Sequence, residues 1–165
     1  MKDIGVLFVC MGNICRSPTA HGVFQYLVKQ NGLNEKIAVD SAGTYSYNIG
    51  KKPDIRAMQT AAKRGYDLSK LRARKVIESD FEKFDYVLAM DGENHMELAQ
   101  QCPKEHQDKV KYFLEFASNA KTLEVPDPYH GGEKGFEVVL DMVEDACKGL
   151  LTYIEETNLR LDSLE

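Results

Sequence analysis

A cysteine followed six positions later by an arginine, Cys10-Met11-Gly12-Asn13-Ile14-Cys15-Arg16, and then Ser17-Pro18, is the part of this chain best suited to chemistry. Ser17-Pro18 reads as a helix start, with Ser as the cap and Pro at the first helical position. A helix N-terminus offers unpaired N–H groups and the positive end of a dipole, so it holds anions. Gly12 allows a positive φ and Asn13 tolerates one, so the loop can curl until successive N–H groups point inward as an anion nest. Arg16 can close that ring and hold two phosphate oxygens with its planar fork. A thiolate at Cys10 is stabilised by the same dipole, amides and guanidinium, which gives a nucleophile without a neighbouring histidine base. The nest also suits the three equatorial oxygens of a transferring phosphoryl group. Ser17 can hydrogen-bond the sulfur and improve it as a leaving group. Phosphoryl transfer is therefore expected: Cys10 attacks, Arg16 clamps, and Met11, Gly12, Asn13, Ile14, Cys15 and Ser17 surround the phosphate.

A departing phenolate or alkoxide needs a proton. Asp127 stands in Val125-Pro126-Asp127-Pro128-Tyr129-His130-Gly131-Gly132, where proline blocks both helix and central strand. Rigidity suits a positioned acid. Asp beside proline is also ordinary turn composition. The residues alone leave both readings open.

The elements that must position these groups follow from periodicity. Ile4 to Val9 is a short continuous apolar run, read as a buried strand. Ala20, Val23, Phe24, Leu27 and Val28 recur at helical spacing, and Asn31-Gly32 ends that helix. Ile37 to Val39 predicts a second strand, and Ser41 to Pro53 a polar loop. A helix is expected from about Asp54 to Arg64, stopped by Gly65. Phe84 to Met90 predicts a strand, Asp91 to Gln101 a helix ending near Pro103, and Val110 to Phe113 a fourth strand. Phe136, Val139, Leu140, Val143, Cys147, Leu150, Leu151 and Ile154 share one stripe of a last helix. The tail after about Asn158 is expected to fray. Strands alternating with helices imply one α/β domain over residues 1–165, a parallel sheet covered on both faces. Ligands of such sheets bind beyond the carboxyl ends of the strands, which is where the Cys10 loop falls.

Composition narrows the partners. Apolar residues make up 43% of the 165, enough for one core, and no long apolar run predicts a membrane span. The formal net charge of −5, with scattered Lys and Arg, argues against nucleic acid. The N-terminal segment lacks a signal-peptide cleavage site. Four cysteines, with no Cys-x2-Cys pair, do not make a disulfide scaffold. Reduced thiols and a cytoplasmic setting are expected. Cys15 is either loop packing or a redox partner for Cys10, and the second reading is preferred because a nucleophilic thiolate beside a second thiol invites a reversible disulfide. Cys147 belongs to the core stripe. His21 is expected on the helix surface, since its spacing from Cys10 and Cys15 fits no usual zinc site. Asp91 reads as a helix cap, and Lys70 to Lys75 as a solvated face.

The Cys10–Pro18 segment resembles the signature loop of the low-molecular-weight protein tyrosine phosphatases, and Asp127-Pro128-Tyr129 resembles their acid loop. Asp40-Ser41-Ala42-Gly43-Thr44, Pro53-Asp54-x-Arg56 and Phe84 to Asp91 match family segments in the same order, so the resemblance covers about residues 4 to 154. It implies a four-stranded parallel sheet, a phosphocysteine intermediate on Cys10, Asp127 as general acid then base, and neither metal nor other cofactor. It further implies that Asn13 and Ser41 form a polar network supporting the loop, and that Tyr47 and Tyr129 face each other as cleft walls. A phosphotyrosine-bearing protein is the implied substrate, and the chain is expected as a monomer or weak dimer. Two positions depart from the pattern. His130 stands where a second aromatic often follows the acid-loop tyrosine, and Leu71 where a histidine often precedes Ala73-Arg74. A thioredoxin-coupled arsenate reductase shares this fold and loop but needs a further cysteine pair, for which Cys102 and Cys147 are poorly spaced. A phosphate-binding module without turnover would need no nucleophile, clamp and acid together.

Overall fold

A computed structural model describes residues 2–129 and 131–159. Four parallel strands form one sheet in the order β2-β1-β3-β4: β1 is Ile4–Cys10, β2 Ile37–Gly43, β3 Tyr86–Ala89 and β4 Val110–Tyr112. The chain moves to one side of β1 for β2 and to the other for β3. Their carboxyl ends therefore flank a topological switch point, the usual place for a ligand crevice.

Alternation along β1 divides the core. Val6, Phe8 and Cys10 point to one face, where they join helices α1 (Arg16–Gln30), α2 (Ile55–Lys63) and α5 (Gly132–Ile154). Leu7 and Val9 point to the other, with Phe81 of α3 (Asp80–Lys83) and Leu98 of α4 (Gly92–Gln101). The sheet is thus covered on both faces, as the continuous apolar run in β1 requires. Phe8 anchors the first face, edge-on to Phe24 at 5.7 Å and to Phe113 at 5.2 Å. All eight stripe residues of α5 are buried, Cys147 among them.

Several boundaries differ from expectation. β2 runs to Gly43, because Leu7 to Cys10 of β1 supply ladder partners as far as Gly43. Ser41 is therefore a strand residue and not part of a loop. β3 is shorter than expected because Asp80–Lys83 closes a four-residue helix just before it. The fourth strand stops at Tyr112, and Phe113–Phe116 turns as a 3-10 helix. Helix α1 begins at Arg16 with Cys15 in the cap position, and no side chain caps it. The chain past α5 continues as a π-helical turn, Glu155–Leu159, tied to the sheet by Tyr86 Oη donating to Asn158 at 2.6 Å. The expectation for the tail otherwise falls outside the described residues, as does His130.

Candidate active site

Cys10 is the last residue of β1 and only 2% exposed, its sulfur forming the floor of a cleft of about 260 Å³. The loop after it is held from β2: Thr44 N–H donates to the Cys10 carbonyl at 3.0 Å and Tyr45 N–H to the Met11 carbonyl at 2.9 Å. Gly43 makes this approach possible, since a Cβ there would lie 2.7 Å from the Met11 carbonyl oxygen.

Asn13, not Gly12, takes the left-handed backbone, with φ 55°. Its side chain compensates. Asn13 Nδ2 donates to Ser17 Oγ at 2.8 Å, and Asn13 Oδ1 accepts from Arg74 N–H at 3.0 Å. In this conformation Asn13 N–H points at the Cys10 sulfur, 3.3 Å away. Ser17 does not cap the helix; it is fully buried, and its Oγ lies 3.0 Å from Cys10 Sγ and 3.3 Å from the Ala42 carbonyl oxygen. Because Ser17 Oγ already accepts from Asn13, its single proton is left for the sulfur or the carbonyl. A thiolate would take it.

Arg16 is the first residue of α1, and its side chain is 4% exposed. Nη1 donates to Asp91 Oδ2 at 2.7 Å and to the Val125 carbonyl at 3.1 Å, while Nη2 lies 4.0 Å from Asp127 Oδ2. Burial works against the Arg16 charge, but the sulfur of Cys10 and the carboxylates of Asp91 and Asp127 outweigh it and raise its pKa above the ordinary guanidinium value. Asp127 enters the site because its loop hangs from β3: Val125 N–H donates to the Met90 carbonyl at 2.7 Å, and Met90 N–H donates to the Val9 carbonyl at 3.1 Å. Asp127 Oδ1 accepts from Tyr129 N–H at 3.0 Å, an Asx turn that fixes the carboxyl group, which remains 41% exposed.

The structure therefore brings Cys10, Arg16, Asp127, Met11, Gly12, Ile14, Cys15 and Tyr129 to one cleft. It treats two expected neighbours differently. Tyr47 is 82% exposed, edge-on to Tyr45 at 5.9 Å, and it is Asn48 that lines the cleft, with Nδ2 donating to the Gly12 carbonyl at 3.2 Å. Ser41 is hydrogen-bonded to His21 Nδ1 at 3.0 Å and not directly to Asn13; the two belong to one network only through Asp40 and Arg74. His21 is accordingly part-buried between α1 and β2, not a surface residue. Cys15 lines the cleft but is only 5% exposed. Desolvation, with Asp54 next, pushes its thiol well above the ordinary value.

Two functional contributors were not evident from sequence. Arg74, read as part of a solvated face, is ion-paired with Asp80 at 3.0 Å and Asp40 at 3.1 Å, and its backbone holds Asn13. Asp91 caps α4 as expected, with Oδ1 accepting from Asn94 N–H at 2.8 Å, but its other oxygen engages Arg16. Two strand ends meeting at a switch point signal that such a residue can do both.

Residues 5–160 match the sequence profile described as low molecular weight phosphotyrosine protein phosphatase. The chain belongs to this family. It is 37% identical to the low molecular weight protein-tyrosine-phosphatase YfkJ of Bacillus subtilis, over 93% of this chain and 97% of that protein. It is 39% identical to the low molecular weight phosphotyrosine protein phosphatase of Homo sapiens, over 88% of this chain and 92% of that one. The crystal structure of an Entamoeba histolytica protein tyrosine phosphatase superposes with a TM-score of 0.90 at 45% identity, covering 93% of this chain and 98% of that chain. That of YfkJ gives 0.90 at 36% identity, covering 96% and 98%. As a low molecular weight phosphatase, the chain is an enzyme. Among its described residues no helix is long and apolar enough to cross a membrane.

Proposed function

We propose that this enzyme hydrolyses protein phosphotyrosine, and small aryl phosphates, through a phosphocysteine on Cys10. The observation that carries the reading is the Cys10 sulfur on the cleft floor, with Asn13 N–H at 3.3 Å and Ser17 Oγ at 3.0 Å, beneath the buried Arg16. In the first step the thiolate attacks phosphorus. The S–P bond forms, the P–O bond to tyrosine breaks, and Asp127 gives its proton to the departing oxygen. Arg16 and the loop N–H groups hold the equatorial oxygens. In the second step Asp127, now a base, takes a proton from water as that water attacks phosphorus, and Cys10 leaves as thiolate with Ser17 donating to it. Tyr129 lines the cleft, and exposed Tyr47 is available to a bound peptide. The thioredoxin-coupled reductase reading is disfavoured by position: Cys102 lies in the core on the opposite face of the sheet from Cys10, Cys15 and Cys147. Four free thiols support a cytoplasmic setting.

The test is acid quench of the wild type with labelled phosphotyrosyl peptide, together with Cys10→Ser kinetics. A phosphorylated Cys10 peptide and abolished turnover in the variant are expected. Near-normal turnover in Cys10→Ser would overturn the reading.

A further inference from the structure

We infer that His21 is a positioning residue whose neutral form keeps the catalytic loop assembled, and whose protonation releases it; this rests on the proposed phosphatase reaction. His21 sits one turn into α1 from Ser17 and touches neither the cleft nor Cys10. Its Nδ1 meets Ser41 Oγ at 3.0 Å, and Ser41 N–H donates to Asp40 Oδ1 at 2.8 Å. Asp40 Oδ2 accepts from Arg74 Nε at 3.2 Å, and Arg74 N–H holds Asn13 Oδ1. Asn13 in turn holds Ser17 beside the sulfur. A continuous series of hydrogen bonds thus runs from the imidazole to the nucleophile. Its weak point is Asn13, kept in a left-handed backbone by two side-chain hydrogen bonds, one of them from Arg74.

The charges around His21 explain why its protonation acts on that point. Asp40 faces it from β2, and Arg74 from the segment joining α2 to α3. Lys29 of its own helix and Asp67 line, with His21, an open cleft of about 220 Å³. Asp67 is already engaged, its Oδ1 accepting from Ser69 N–H at 2.9 Å. Asp80 of α3 is paired with Arg74. An imidazolium would therefore compete with Arg74 for Asp40 and repel Arg74, the residue that pins Asn13. Burial favours the neutral imidazole and lowers its pKa below 6.5; Asp40 opposes this and Arg74 adds to it. The neutral ring is thus present at neutral pH, and loosening begins on the acid side.

The experiment has two readouts. In wild-type protein, the His21 ring carbons and the Asn13 amide are followed by NMR from pH 7.5 downward. The amide is expected to shift with the midpoint of the ring. Phosphotyrosine hydrolysis is then compared in His21→Asn, whose amide can take the place of Nδ1 without titrating, and in His21→Ala. Loss of the Ser41 hydrogen bond in His21→Ala is expected to lower kcat about fivefold, the scale of one neutral hydrogen bond. His21→Asn is expected to recover most of this and to extend activity to lower pH than wild type. An Asn13 amide indifferent to His21 titration, or an acid limb identical in wild type and His21→Asn, overturns the inference. The NMR arm decides it even if Cys10 proves not to be the nucleophile.

Discussion

Asp91 divides its two carboxylate oxygens between Arg16 and helix α4, Oδ2 2.7 Å from Arg16 Nη1 and Oδ1 2.8 Å from Asn94 N. One side chain thereby starts a helix on one face of the sheet and orients the Arg16 guanidinium on the other. The two duties can be separated. Asp91→Asn keeps an oxygen for the cap and loses the charge on Arg16. It is expected to lower kcat/KM by about 10- to 100-fold, roughly 1.4–2.7 kcal/mol. Asp91→Ala should add a loss of about 1 kcal/mol of stability from the missing cap. Steady-state kinetics and denaturant unfolding of both variants check this; equal stability of the two would deny Asp91 its capping contribution.

Asp127→Asn is expected to lose activity in proportion to the basicity of the leaving group. For a phenol with a pKa of about 10, protonation during P–O cleavage is worth roughly 10²–10⁴ in rate. For p-nitrophenol the loss in the phosphorylation step should be smaller. Presteady-state phosphorylation with aryl phosphates of graded leaving-group pKa gives the answer. Parallel dependences in wild type and variant would remove Asp127 as proton donor.

Peroxide is expected to inactivate the enzyme reversibly. The Cys10 sulfur is oxidised to a sulfenic acid, and the Cys15 thiol then displaces water to form a disulfide. Burial holds Cys15 protonated, so trapping should accelerate with rising pH as more thiolate becomes available. Cys15→Ala should remain active yet fail to recover with dithiothreitol after peroxide. Peptide mapping without a Cys10–Cys15 link in the oxidised wild type would refute the pairing.

Asn13 combines a left-handed backbone with three hydrogen bonds, one from its N–H to the sulfur and two from its side chain. Asn13→Ala keeps the first, forfeits the other two, and leaves a Cβ at φ 55° without the hydrogen bonds that offset its cost. A destabilisation of about 2–3 kcal/mol is expected. Asn13→Gly, relieved of the backbone cost, should be the milder of the two in unfolding experiments.

Much of this was legible in the sequence because it is local. Cys10, Arg16 and Ser17-Pro18 lie within one strand–loop–helix unit, and the buried run in β1 and the stripe on α5 have clear periods. The residues that escaped reading are those whose role depends on chain distant in sequence. Arg74 reads as a surface cation until β2 places Asp40 against it. His21 lies on a weakly amphipathic helix, and nothing within a few positions marks it as Ser41's partner. Ser17 has the composition of a cap but is drawn instead toward Cys10 and Ala42, because the loop itself turns into the helix at Cys15. Tyr47 was placed in the cleft by resemblance, whereas the side chain that lines it is that of its neighbour Asn48.

The loop that carries Asp127 is fastened to the end of β3 through Val125 and Met90, although the chain reaches it from β4 and the turn at Phe113–Phe116. Attachment in space and arrival in sequence are thus separate. Between that turn and Val125, Ser118 and Asn119 donate to the Asp145 carboxylate of α5, and Glu124 accepts from Gly92 N–H, so the connecting stretch is itself pinned near both ends. A change of length confined to residues 120–123, between those two ties, need not alter where Asp127 sits.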